Sequence, residues 1–128
     1  SWTAKLRRLF PAGVCNLSPR VREENAQDKW FARRVPEAVV FARHTADVSR
    51  TLAFAHRHGI PVTSRGAGYG YVGGCVPTRG GIVLSTRRMN RILDLNPRDG
   101  VAVVQPGVIT KTLDDEAAKL GWYYPPDP

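Results

Sequence analysis

The sequence contains no apolar stretch near the roughly 20 residues that a membrane-crossing helix requires, so no transmembrane segment is expected. Its two cysteines, Cys15 and Cys75, lie too far apart for any metal or redox spacing, which fits a reducing cytoplasm. Histidine is scarce as well: His56 and His58 sit two apart on a predicted helix, where they point to different faces, and no metal site is expected. The first residues do not read as a secretory signal, because Lys5, Arg7 and Arg8 interrupt the apolar residues Trp2, Leu6, Leu9 and Phe10. Acidic residues are outnumbered, 11 Asp and Glu against 19 Lys and Arg, leaving a net charge of +8. Such an excess suits a nucleic acid, an anionic ligand, an acidic partner or a missing part of the same protein. The basic residues are scattered from Lys5 to Arg98, with short clusters only at Arg7-Arg8, Arg33-Arg34 and Arg87-Arg88. No nucleic-acid motif accompanies them, so no nucleic-acid partner is expected. The expected location is the cytoplasm, with peripheral attachment to a membrane as the variant reading.

What is present is the making of an ordinary globular domain: 128 residues, 42% hydrophobic and 23% charged. Residues 1–35 read as an N-terminal arm with a short helix near Thr3 to Leu9, stopped by Pro11 and Gly13. Trp30 and Phe31 are its expected anchors. From Pro36 the pattern sharpens. Ala38-Val39-Val40-Phe41-Ala42 is a continuous apolar run of the kind found in buried strands. Thr45 offers an N-cap, Asp47 stands in the first helical turn, Val48, Leu52 and Ala55 follow at helical spacing, and Gly59 is placed to end the helix. Ile60 to Ser64 reads as the next strand, and the crossover predicts parallel pairing of these two strands. Gly81 to Ser85 and Val101 to Gln105 read as two more strands, with a turn at Asn96 to Gly100. A second helix, capped by Thr110, places Ile109, Leu113, Ala117 and Leu120 on one face and ends at Gly121. The fold class expected is α+β: a small mixed sheet of about four strands with a β-α-β unit and helices mainly on one face.

The segment from Arg65 to Gly74 carries the chemistry. It holds Gly66, Gly68, Gly70, Gly73 and Gly74, and so many glycines let successive backbone N–H groups turn toward one point and make a concave anion site. Gly68-Tyr69-Gly70-Tyr71-Val72-Gly73 satisfies the dinucleotide fingerprint G-x-G-x-x-G, but Pro77 and Gly80-Gly81 follow where that motif requires a helix. There is no Gly-Lys-Ser/Thr, which excludes a P-loop. On residues alone the alternatives stay open between a phosphate cradle and a glycine-rich hairpin or lid without ligand.

A longer series of motifs bears on that choice. Val62-Thr63-Ser64-Arg65-Gly66-Ala67-Gly68 followed by Gly73-Gly74 resembles the flavin-phosphate loop of the FAD-linked oxidases, the family of vanillyl-alcohol oxidase and p-cresol methylhydroxylase. Pro36 to Val40, Thr45 to Val48, Gly80 to Ser85 with Met89 to Ile92, Val104 to Val108 and Tyr124 to Pro128 match the same family in order. Within it, glycolate oxidase subunits and D-lactate dehydrogenases are the most similar branch. The resemblance implies FAD as cofactor, with the backbone of Gly66, Ala67, Gly68, Tyr69 and Gly70 on the pyrophosphate. It further implies Arg65 as brace or positive charge, Gly73 and Gly74 as points of close approach, and Pro106, Gly107, Pro126 and Asp127 near the cofactor.

Two residues depart from the family pattern. Tyr69 stands where covalent members carry His, so the FAD is expected to be non-covalent at this position, and Ala42 replaces a Pro common near the adenine end. Residues 36–128 are expected to be the N-terminal subdomain of the FAD-binding domain, incomplete at its C-terminal end. The family's second set of cofactor contacts and its substrate-binding domain would follow, so no catalytic residue is assigned here. Tyr69, Tyr71, Tyr123 and Tyr124 are read as packing groups, not acids. The expected function is the FAD-binding portion of an oxidoreductase acting on a 2-hydroxy acid such as glycolate or D-lactate. The alternative is a non-catalytic fragment or module that binds an anionic nucleotide or a protein partner. Apolar surface left uncovered predicts self-association or a partner chain that supplies the missing half.

Overall fold

Two apolar tetrads, Ala38–Phe41 (β2) and Ile82–Ser85 (β4), are buried along their whole length. Continuous runs of this kind are stable as strands only where both faces of the sheet are covered. In the computed structural model, which describes residues 1–28, 32–66 and 74–125, they pair in parallel from Ala38 opposite Ile82 to Phe41 opposite Ser85. Val62–Arg65 (β3) lies parallel along the other side of β4, with Arg65 opposite Ser85. The first two strands of the β-α-β unit are therefore parallel, as the crossover predicts, but they do not pair with each other. β4 stands between them.

The fourth strand of this sheet is Cys15–Asn16 (β1), antiparallel to β2 with Cys15 opposite Val40 and Asn16 opposite Val39, so the sheet is mixed and its order is β1-β2-β4-β3. The N-terminal residues also supply two short helices, Trp2–Arg7 (α1) and Pro19–Glu24 (α2). Ser18 caps α2 by accepting the Val21 N–H at 3.3 Å, and Pro19 opens it, where its missing N–H costs nothing. Val21 of α2 packs with Val39, Phe41 and Val83 on one face of the sheet, while Ala38, Val40, Ile82 and Leu84 are buried on the other. Trp30 and Phe31 lie outside the described residues.

The crossover helix is Thr45–His58 (α3). Its N-cap is His44, one residue before the expected Thr45, and no side chain caps it. Asp47 in the first turn instead accepts the backbone N–H of Arg43 at 2.9 Å through Oδ2. That bond satisfies the strand-to-helix corner and places an acid at the positive end of the helix dipole. The buried Thr51 hydroxyl donates back to the Asp47 carbonyl at 2.8 Å. Gly59 ends the helix in the left-handed conformation (φ +64°), and Ile60 N–H then reaches the Ala55 carbonyl at 2.9 Å.

The remaining elements belong to a second unit, Met89–Pro128, separate from Ser1–Arg88. Ile92–Asn96 (β5) and Val101–Val104 (β6) form an antiparallel hairpin around the expected turn, and Thr110–Ala118 (α4) follows. The strand expected over Val101 to Gln105 thus pairs within this hairpin, not in the four-stranded sheet. Ile109 is the N-cap of α4, one residue before Thr110; Leu113 and Ala117 are buried, while Ile109 and Leu120 are exposed. Among the described residues no helix is long and apolar enough to cross a membrane.

The register of the parallel strands is locked at Gly81. Its N–H donates to the Glu37 carboxylate, its carbonyl accepts the Glu37 N–H at 2.9 Å, and the next residue, Ile82, donates to Pro61 O at 2.9 Å. A Cβ on Gly81 would lie 2.2 Å from that same Pro61 oxygen, and its φ of +84° is one that side-chain-bearing residues rarely adopt. The expected outcome for Gly81→Ala is a loss of about 3 kcal/mol, read as a lower denaturant midpoint at unchanged slope. An unchanged midpoint would show that this junction can open without cost.

Candidate functional site

Because β2, β4 and β3 are parallel and in register, Phe41, Ser85 and Arg65 end at one edge of the sheet. In open sheets with parallel strands, the carboxyl edge is where loops are free to receive a ligand. The glycine-rich segment leaves from this edge at Arg65. The Thr86 N–H donates to the Arg65 carbonyl at 3.0 Å and so extends the ladder one residue past β4. Gly66 then stands in open space, with no atom within 4 Å of where a Cβ would be. At the far end of the segment, Arg65 Nη1 donates to Cys75 Sγ at 3.8 Å, and that thiol points to Asp28 Oδ2, also at 3.8 Å. Arg65 and Cys75 therefore close the base of the loop from its two ends.

Of the residues singled out by sequence, Arg65, Gly66 and Gly74 occupy this base, with Gly66 and Gly74 exposed. Ala67, Gly68, Tyr69, Gly70, Gly73, Pro126 and Asp127 lie outside the described residues, as does Tyr71. Pro106 and Gly107 belong to the second unit. There Gln105 N–H donates to Arg91 O at 2.9 Å, the Gln105 side-chain oxygen accepts the Arg91 N–H at 2.9 Å, and Gly107 N–H donates to Met89 O at 2.8 Å. These bonds carry the hairpin ladder past β6 and fix the Pro106-Gly107 corner.

The second unit has a cavity of its own, about 280 Å³, between the hairpin and α4. Trp122 forms one wall: its Nε1 donates to Pro97 O at 2.8 Å and its ring covers Gly100. Tyr123 and Tyr124 line this cavity, and their rings are exposed. No group of three His, Cys, Asp or Glu side chains among the described residues could hold a metal ion.

Sequence reasoning passed over the other basic groups of the carboxyl edge. Arg43 follows β2, while Arg87 and Arg88 follow β4, and each is exposed. The Arg87-Arg88 doublet was visible as a charge cluster. Its placement beside Arg43 depends on β4 lying next to β2. At the mouth of the glycine-rich segment, Arg65 offers a guanidinium group, donor chemistry that suits a pyrophosphate. The residues present fit a phosphate-bearing cofactor.

A family of FAD binding domains matches residues 36–128. The glycolate oxidase subunit GlcD of Bacillus subtilis is 42% identical over 94 residues, 73% of this chain and 20% of that protein. The D-lactate dehydrogenase of Anaerostipes hadrus is 33% identical over 126 residues, 97% of this chain and 26% of that protein. The chain thus spans only 20% and 26% of the length of these relatives. Among solved structures, p-cresol methylhydroxylase with substrate bound shares the fold with a TM-score of 0.77 at 21% identity, covering 94% of this chain and 24% of that one.

The two thiols differ in kind. Burial pushes the Cys15 thiol from 9.0 up to about 11, against a smaller opposing pull from Arg7, whereas Cys75 is only half-buried. A raised value means that the folded state favours the neutral thiol. Its contribution is complete below pH 9 and is lost as the pH rises toward 11. The wild-type chain is expected to lose stability in alkaline denaturant series over that range, and Cys15→Ala to lack that component. At pH 8 a thiol reagent should modify Cys75 about tenfold faster than Cys15 or more. Equal rates would mean that β1 does not hold Cys15 against the sheet.

Proposed function

The chain belongs to the family of FAD binding domains, and from that premise we propose that it forms the cofactor-binding portion of a flavin-dependent oxidoreductase acting on a 2-hydroxy acid such as glycolate or D-lactate. The observation that carries the cofactor part is the glycine-rich segment opening from Arg65 at the carboxyl edge of the parallel strands. The relatives named for glycolate and D-lactate support the substrate class.

In this reading Arg65 sets a positive charge at the mouth of the loop, with the Cys75 thiol holding its guanidinium. Gly66 leaves the backbone open to close approach, and the residues to Gly74 contribute amide donors. The bound flavin supplies the redox chemistry, and the protein supplies binding and orientation. Tyr69 in place of a histidine favours non-covalent FAD at that position. No side chain of this chain is assigned a proton- or hydride-transfer role. Those roles, with the substrate pocket, belong to polypeptide beyond this segment or to a partner chain. The apolar residues exposed on the second unit, among them Val101, Leu120 and Trp122, support such a partner or self-association.

Purified chain titrated with FAD should quench flavin fluorescence saturably and acquire absorbance near about 450 nm. Arg65→Gln is expected to weaken this binding about tenfold, and Arg20→Gln, on exposed α2, to leave it unchanged. Absence of saturable binding in a folded chain would defeat the cofactor reading for this segment on its own. In a chain carrying the rest of the relatives' length, anaerobic D-lactate or glycolate should bleach the flavin band. A flavin that stays oxidised with both acids would defeat the substrate reading.

A further inference from the structure

Arg43, Arg87 and Arg88 gather where β2 and β4 end. The Arg88 guanidinium carbon lies 4.5 Å, and that of Arg87 5.7 Å, from the ring centroid of Phe41, itself buried in the sheet. Arg88 Nη1 donates to Gly13 O at 2.7 Å, and the Arg43 guanidinium stands 3.6 Å from where a Cβ on Gly13 would be. One phenyl ring holds Arg87 and Arg88, the Gly13 carbonyl fixes Arg88, and Arg43 stands beside the same turn.

Among the described residues none of the three forms an ion pair. Asp47 spends its carboxylate on the backbone N–H of Arg43 at 2.9 Å and on Arg50 at 3.9 Å. Burial, then the charges of Arg43 and Arg87, hold Arg88 below its ordinary pKa. Like charges kept together by packing, without a counter-charge, are relieved by an anion. Arg87 and Arg88 share one ring, Arg88 and Arg43 share the Gly13 turn, and Arg88 feels the charges of both, so the three form one local cluster. Such a cluster favours a single multiply charged group over an extended acidic segment. A tetrahedral phosphate, whose oxygens accept several guanidinium N–H bonds at once, matches it.

We infer that Arg43, Arg87 and Arg88 form a binding site for one phosphate group at the carboxyl ends of β2 and β4. The inference goes beyond the cofactor reading, since none of the three lies in the Arg65 to Gly74 segment. The phosphate can be free inorganic phosphate or one carried by a larger molecule, FAD included.

The test is a titration of the isotopically labelled full chain with inorganic phosphate at constant ionic strength, following the arginine Nε–Hε resonances. Saturable shifts are expected at Arg43 and Arg88. Arg88→Gln should weaken binding about tenfold or more, and Arg88→Lys, which keeps the charge but loses the fork, should weaken it less. Arg20→Gln, on exposed α2, should leave it unchanged. FAD that displaces the phosphate identifies the cofactor as the source. Phosphate and FAD bound together identify a separate anion, and either result supports the site. Because FAD binding is measured separately, its failure leaves the phosphate result standing. No saturable shift up to on the order of 10 mM phosphate, or binding by the Arg43→Gln and Arg88→Gln variants as tight as that of the wild-type chain, overturns the inference.

Discussion

The contact on which the first unit depends is the approach of Gly81 to the Pro61 carbonyl. β4 can occupy the slot between β2 and β3 only if the residue that leads into it, Gly81, passes both neighbours at backbone distance. Glu37 holds Gly81 from the β2 side through paired bonds, and Pro61 receives Ile82 from the β3 side. A side chain at position 81 would fill the place of the Pro61 oxygen. From that junction the register of all three parallel strands follows, and so does the level at which Phe41, Ser85 and Arg65 terminate. The position of the loop is a consequence of packing at the opposite end of the sheet, four residues away along each strand.

That arrangement also organises the charge. The edge receives the ends of three parallel strands, and the chain places Arg43, Arg65, Arg87 and Arg88 on or just beyond them. Exposed arginines on helices find local partners here, as Arg20 does with Glu24 and Arg50 with Asp47. The edge arginines make no such pairs among the described residues; they rest instead on an aromatic ring, a thiol and a backbone carbonyl. Each of those holds the side chain without neutralising it. Part of the chain's positive charge is thus gathered, without an ion pair among the described residues, at the edge where the glycine loop opens, which suits an anionic ligand bound at one place better than a polyanion spread over a surface.

How much of this could be read from the sequence depends on the range of the forces involved. β2, α3 and its glycine stop, and β4 were legible because local apolar runs, a first-turn acid and Gly59 determine them. β1 was not: Cys15-Asn16 carries no strand pattern and exists because the edge of β2 needs a partner. β5 was missed because none of Ile92-Leu93-Asp94-Leu95-Asn96 is fully buried and its register shifts between Ile92 and Asp94, which breaks the two-residue period. Both helix caps fell one residue before the threonine named for them. At α3, Asp47 supplies the bond to Arg43 that a cap would give. At α4, Ile109 takes the cap position without any side-chain bond. For the candidate site, the glycine pattern and the family motifs name Arg65 and Gly66 from local sequence alone, and both stand at the carboxyl edge of the sheet. Arg43 lies more than 40 residues from Arg87 in the chain, and only the insertion of β4 beside β2 brings them together.

The second unit is held by geometry more than by a core. Met89, Leu113 and Ala117 are its buried apolar residues, whereas all four residues of β6 are exposed. A two-stranded hairpin with so little apolar cover is marginal in water. What fixes it is directional bonding: the ladder from Ile92 opposite Val104 to Asn96 opposite Val101, its extension at Gln105 and Arg91, and the Trp122 indole fastened to Pro97 over Gly100. Directional bonds of this kind set the shape of the Pro106-Gly107 corner precisely because they do not depend on how much apolar area is covered. A corner built on them keeps its local geometry whether or not the exposed Val101, Leu120 and Trp122 are covered. Apolar residues left exposed beside a well-bonded backbone are what a surface meant for further burial requires, since the backbone donors and acceptors need no rearrangement when the cover arrives.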